Sequence, residues 1–111
     1  MQSMRNKVQL IGRLGMDPEV KTLESGKKMA RVNIATTESY RDQKGNKIED
    51  TQWHQVVCWG GLAEIAEKYL KKGREVAIDG KLVHRSYENG NGETKYITEV
   101  VANDLLMLGG K

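Results

Sequence analysis

Apolar residues recur at every second position along most of this chain and change to helical spacing in one place, which restricts the fold more than any other feature. From Lys7, Val8, Leu10 and Leu14 share one parity while Lys7, Gln9 and Arg13 take the other, with Ile11 as an apolar exception. Alternation of this kind predicts a half-buried strand. Met29 to Thr37 repeats it, with Ala30, Val32 and Ile34 inward and Arg31, Asn33 and Ala35 outward. The stretch from Thr51 to Trp59 is a third strand. Arg74 to Lys81 is a fourth, with Val76 and Ile78 inside and Ala77, Asp79 and Lys81 outside, and Tyr96 to Ala102, rich in Val, Ile and Thr, completes the set. Only between the third and fourth strands does the period lengthen. There Leu62, Ile65, Ala66, Tyr69 and Leu70 follow i, i+3, i+4, i+7 and i+8, the spacing of an amphipathic helix of about three turns.

Turn residues punctuate these elements. Gly12 lies inside the first strand, where a glycine marks a bulge or a tight bend, and Gly15-Met16-Asp17-Pro18 ends it because Pro18 cannot donate to a ladder. Ser25-Gly26 supplies the next turn. Tyr40 and Arg41 are placed just beyond the second strand, before a polar, mobile hairpin tip from Asp42 to Lys47. Gly60-Gly61 breaks the third strand. Lys68, Lys71 and Lys72 put cations at the end of the helix, and Gly73 suits the left-handed position past it. Asn89-Gly90-Asn91-Gly92 is a turn signal at the head of a long hairpin that carries Tyr87. The order strand, strand, strand, helix, strand, strand predicts a mainly β fold: a five-stranded Greek-key barrel of the OB type with one α-helix between strands 3 and 4. With 111 residues there is room for one such domain. It is expected over 6–108, after a flexible N-terminal arm at 1–5 and before a C-terminal stub at 109–111.

Charged residues make up 30% of the chain and the net charge is +3, a mild basic bias that permits nucleic-acid binding without requiring it. The single cysteine, Cys58, excludes an internal disulfide and a Cys-based metal cluster, which fits a reducing compartment. No secretory signal or bilayer-length apolar run is visible, so a cytoplasmic protein without a membrane partner is expected.

Trp53 and Trp59 share a parity, and in a strand their roots lie roughly 20 Å apart on one face. Phenylalanine is absent, and the opposite parity of each strand already supplies a complete aliphatic set. The indoles are therefore surplus to the core and free to stack on something flat. Tyr40 and Tyr87 also stand away from the inferred core, whereas Tyr69 reads as helix packing and Tyr96 leans toward packing. Cations are interleaved with the rings: Lys7, Arg13, Arg31, Arg41, Lys81 and Arg85, with Lys72 after the helix. Rings of this kind stack on bases of any sequence, and the cations would follow phosphates. His54 and Cys58 sit four residues apart, roughly 13 Å along a strand, too far for a nucleophile pair. His54 is instead a candidate for packing or for an oligomer interface. His84 is isolated. With no metal-ligand spacing and no phosphate-cradling glycine loop, neither an enzyme nor a cofactor is expected.

Several runs carry a resemblance. Asn6-Lys7-Val8, Gly12-Arg13-Leu14-Gly15-Met16-Asp17-Pro18-Glu19-Val20, Trp53-His54-Gln55-Val56-Val57, Gly61-Leu62-Ala63-Glu64, Tyr69-Leu70-Lys71-Lys72-Gly73 and Thr98-Glu99-Val100-Val101 resemble the bacterial single-stranded DNA-binding protein family, in family order and spacing. The resemblance implies an OB fold assembled as a homotetramer around which single-stranded DNA wraps. It also implies nucleoid association, roles in replication, recombination and repair, and base-stacking positions at Tyr40, Trp53, Trp59 and Tyr87. The chain departs from the family where Gln55, Gly61 and Ser86 stand at places often basic. Each missing phosphate contact flattens the salt dependence by about 0.7 in log-log slope, so binding is expected to lean on stacking. Family members continue past this point into a polar linker with an acidic tip, whereas the sequence given stops at Leu108-Gly109-Gly110-Lys111; this ending fits either a trimmed chain or a short paralogue, and tail-mediated recruitment of repair and replication proteins is not expected from this chain. A rival reading is an OB-fold primosomal adaptor that mainly recruits replication proteins; both tryptophans argue against it.

Overall fold

The structure, a computed structural model, describes residues 4–108. The stub expected at 109–111 lies outside the described residues, as do residues 1–3 of the expected arm. Met4–Asn6 forms one 3-10 turn. Asn6 is clipped to a later strand by both ends of its amide: Nδ2 donates to the Leu82 carbonyl at 3.0 Å, and Oδ1 accepts from the Leu82 N–H at 2.9 Å.

The elements that follow are β1 (Val8–Leu14), β2 (Glu19–Thr22), β3 (Lys28–Arg41), β4 (Lys47–Trp59), α1 (Gly61–Tyr69), β5 (Glu75–Glu88) and β6 (Thr94–Met107). Their sheet order is β1-β5-β6-β4-β3-β2, and β1 pairs again with β3 through Arg13–Ala35 and Leu14–Ile34, which closes the barrel. Five strands, β1, β3, β4, β5 and β6, make this closed OB barrel, and α1 lies between the third and fourth of them. The short β2 is an addition that periodicity does not show. It has four residues, only Val20 is apolar, and it pairs along the outer edge of β3 from Glu19–Arg31 to Thr22–Lys28.

Closure depends on a residue without a side chain. A Cβ on Gly12 would lie 2.2 Å from the Ala35 carbonyl oxygen, so only glycine lets β1 pass this close to β3. A bulge re-aims the last strand: Asp79 faces Asp104 while Gly80 faces Ala102, leaving Asn103 as the extra residue. Inward parity on β6 therefore changes from Val100 and Ala102 to Leu105 and Met107, all of them in or against the core.

The core takes the predicted parity: Ala30, Val32 and Ile34 of β3, Val56 and Cys58 of β4, and Val76 and Ile78 of β5 are buried. Each Val or Ile so buried contributes roughly 1.5–3 kcal/mol relative to exposure. The helix covers the barrel with a narrower stripe than the sequence suggests. Ala63, Ala66 and Leu70 are buried, Leu62 packs at the margin, and Tyr69, expected in the stripe, is 58% exposed. Two alanines let the helix approach closely, which leaves no depth for a ring. Gly73 has the expected left-handed backbone, with φ +89°. Its place is a separate turn in which the Arg74 N–H donates to the Lys71 carbonyl at 3.0 Å, because the helix has already ended at Tyr69.

Beyond the barrel, β3–β4 and β5–β6 continue as two-stranded ribbons. Tyr40 and Arg41, expected past the strand end, are within β3 and pair with Ile48 and Lys47. The ribbon tip is organised by Asp42, whose Oδ1 accepts from the N–H groups of Lys44 (2.9 Å) and Asn46 (2.8 Å). Among the described residues no helix is long and apolar enough to cross a membrane.

Candidate nucleic-acid interface

Register places the odd-numbered residues of β4 and its neighbours on the outer face of the barrel. Met29 stands opposite Trp59, Arg31 opposite Val57, Asn33 opposite Gln55 and Ala35 opposite Trp53. Across the parallel pair Val57 faces Val101, and Val101 in turn faces Lys81. One row across four strands thus reads Arg31, Val57, Val101, Lys81: valines in the middle and a cation at each end. A depression of about 290 Å³ opens along this row, floored by Val57, Val83 and Val101 and walled by Trp59, Met29, Arg31 and the Arg85–Glu99 pair. Tyr87 shares the face by its parity with Val83 and Arg85.

The two indoles are held in different ways. Trp53 is 63% exposed, yet its ring rests on bare backbone: a Cβ on Gly15 would meet Cζ3 at 2.2 Å and Cη2 at 2.6 Å. Between them lies Ala35, the small cross-strand neighbour of Trp53. The loop that presents Gly15 is itself fastened. Gly15 N–H donates to the Asn33 carbonyl at 3.1 Å, Asn33 Nδ2 donates to Met16 Sδ at 3.3 Å, and Asp17 Oδ1 accepts from the Lys72 N–H at 2.8 Å. A ring seated this way has little freedom left to lose on binding a flat partner. Trp59 is half-buried, and Lys27 Nζ stands over it, 5.3 Å from the ring centroid. Such a contact is worth about 0.5–1 kcal/mol at an exposed site, against roughly 1–3 kcal/mol for a stacked base.

Tyr40 lies on the β3–β4 ribbon beyond the barrel, with its ring exposed. Its cross-strand partner is Ile48, and both have the even parity that lower in β3 and β4 points into the core. On that side Glu38 faces Asp50 directly, a like-charge pair that disfavours a polyanion. The four rings read from the sequence divide into three of odd parity and one of even parity.

Four of the predicted cations lie near the rings. Arg31 and Lys81 end the row described above, and the Nε of Arg31 is buried without a hydrogen-bond partner among the described residues. Arg85 grips Glu99 through two bonds, Nε to Oε1 at 2.8 Å and Nη2 to Oε2 at 3.1 Å. The carboxylate of Glu99, 3% exposed, raises the Arg85 pKa by this hydrogen bonding and fixes the guanidinium plane. Arg13 joins Ala35 and Trp53 in a second row, its Nη1 donating to the Gly73 carbonyl at 3.0 Å. The other three stand apart. Lys7 pairs with Asp79 at 3.1 Å, Arg41 donates to the Gly45 carbonyl at the ribbon tip at 2.9 Å, and Lys72 is in the turn after α1. His54 lies on the opposite parity from the tryptophans, 2.9 Å from the Thr36 hydroxyl.

Sequence reasoning did not single out Gly15, Lys27 or Glu99. Gly15 and Lys27 look like ordinary turn residues, and their contacts join segments distant in sequence. For Glu99 there is one usable signal, since an acid between apolar residues on a strand of odd outward parity needs a cation beside it.

The chain matches the Single-strand binding protein family over residues 5–108. It is 50% identical over 107 residues to single-stranded DNA-binding protein 1 of Chlorobaculum tepidum, covering 96% of this chain and 66% of that protein. To the single-stranded DNA-binding protein of Xanthomonas campestris it is 46% identical over 106 residues, covering 96% and 62%. The chain spans about two-thirds or less of the length of these relatives. Among solved structures it is similar to the Plasmodium falciparum SSB complex with ssDNA, with TM-score 0.85 and 35% identity over 98% of this chain and 99% of that one. It is also similar to a deletion mutant of the single-stranded DNA binding protein from Thermus aquaticus, with TM-score 0.83 and 30% identity over 96% and 51%.

Proposed function

Because this chain belongs to the single-strand binding protein family, we propose that it binds single-stranded DNA without sequence preference, stacking bases on Trp53, Trp59 and Tyr87. The observation that carries this reading is the row from Arg31 to Lys81, an apolar floor between two cations with an indole on either side along β4. Stacking tolerates any base because every base has a flat face. Phosphates would follow Arg31, Lys81, Arg85 and Arg13. Glu99 occupies Nε and Nη2 of Arg85, and Nη1 lies outside that pair. To reach Tyr40 the strand would pass around the β3–β4 ribbon, where Arg41 is the nearest cation; Lys7 and Lys72 would serve only a longer path.

Binding alone, without catalysis, would protect exposed strands during replication, recombination and repair at the bacterial nucleoid. Self-association into a tetramer accords with the edge of β1, which among the described residues pairs with β3 only at Arg13 and Leu14 and leaves Val8 to Ile11 without a strand neighbour on that side. His54 remains the candidate side chain for such an interface.

A tryptophan-fluorescence titration with single-stranded DNA, single-stranded RNA and duplex tests the reading. Strong quenching by single-stranded DNA supports it, and no quenching contradicts it. Light scattering on the same samples measures the oligomer.

A further inference from the structure

Two adjacent lysines, Lys27 at the end of the β2–β3 turn and Lys28 at the start of β3, behave differently. Lys28 is committed: its ammonium meets Glu67 at 2.7 Å, and that hydrogen bond holds its pKa above the ordinary value. Lys27 is exposed and has no carboxylate partner among the described residues; its ammonium stands over the ring of Trp59. The backbone beneath it is fixed, with Leu23 N–H donating to the Lys27 carbonyl at 2.8 Å and Gly26 N–H to the Leu23 carbonyl at 2.8 Å. The ring is fixed as well, since Trp59 is half-buried opposite Met29 and the next residue, Gly60, donates its N–H to the Lys28 carbonyl at 2.9 Å. Only the flexible lysine stem is free to move.

We propose that Lys27 is a placeholder on the Trp59 stacking site: its ammonium covers the indole in the free protein, yields to a base, and moves onto the adjoining phosphate. This rests on the single-stranded DNA reading and adds a residue and an order of events to it. The cation–ring contact is the weaker of the two attractions, so an arriving base displaces the ammonium. A nucleic-acid strand brings its own anion to the same place, so the displaced charge finds a stronger partner nearby. The apparent affinity of the Trp59 site is reduced by the fraction of time the ring is covered. In return the phosphate contact forms only in the complex.

The test uses a Trp53→Phe background, in which Trp59 is the sole indole and an exposed ring is exchanged without touching the core. An oligothymidylate is titrated over a tenfold range of salt against this protein and against its Lys27→Gln and Lys27→Arg derivatives. Lys27→Gln should keep the quenching but show a log-log salt slope shallower by about 0.7, so that the tenfold rise in salt costs it about fivefold less affinity. Lys27→Arg should restore the slope. Parallel lines for the Lys27 parent and Lys27→Gln overturn the placeholder while leaving the stacking reading intact. Absence of quenching in the parent overturns the stacking reading and the placeholder with it.

Discussion

Trp53 and Trp59 share a strand and a face, but one is seated on backbone and the other is capped by a charge. Gly15 lies under Trp53, and its missing Cβ is the space the indole fills. Lys27 lies over Trp59, its ammonium 5.3 Å from the ring centroid, and in our proposal a base displaces it. The first arrangement offers a preorganised landing place. The second offers one whose cost of opening is offset by a new phosphate contact. A uniform platform, as the shared parity suggests, would have given two equivalent sites.

The largest expected effect comes from removing the rings one at a time. Trp53→Ala should weaken single-stranded DNA binding by about 2–3 kcal/mol, and Trp59→Ala by about 1 kcal/mol, because part of the second ring's stacking is already discounted. Titration of both variants at one salt concentration checks the order, and equal losses would break the comparison. Thermal melting should show the reverse order, since only Trp59 is half-buried.

Next is the strand that supports both rings. On its inner side, burial pushes the Cys58 thiol from the ordinary 9.0 up to about 11. The neutral form is favoured in the folded state, so this stabilisation is fully present below pH about 9 and is lost as pH rises through about 11. The loss is on the order of 2 kcal/mol. Denaturant melts of the wild type and Cys58→Ala across that range should differ in slope against pH, the alanine variant being flatter. Below pH about 9 the difference between the indoles should persist unchanged.

Gly15→Ala acts on the seat alone. Its Cβ would displace the Trp53 ring and reduce affinity by about 1 kcal/mol, with little change in melting temperature because the ring is exposed. Quenching in a Trp59→Phe background reads the seat directly. The smallest effect is expected from Gln55→Arg, which puts a cation between the rings on their own face. It should tighten binding at low salt and steepen the log-log slope by about 0.7, with no change at high salt.

Much of this was legible in the residues. The inward parity of Ala30, Val32 and Ile34, repeated in Val76 and Ile78, together with the single change of period at Leu62, is enough for the barrel and the position of its helix. Parity also separates Trp53 and Trp59 from the core. It cannot show where the barrel stops and a ribbon begins. Tyr96, expected to lean on a core, is 82% exposed because its part of β6 pairs with Ser86 beyond the barrel. Nor does parity show that β3 runs on to include Tyr40, which pairs with Ile48 on the ribbon. The seats of the two indoles join Gly15 to β4 and Lys27 to β4, and contacts between distant segments leave no period to read.

The most direct measurement compares Trp53→Phe and Trp59→Phe, each with one indole, in fluorescence titrations with the same single-stranded oligonucleotide and its duplex. Both variants should be quenched by the single strand with the same stoichiometry and neither by the duplex. If either remaining indole is unaffected by the single strand, or responds equally to the duplex, the two rings do not form a stacking face for single-stranded DNA.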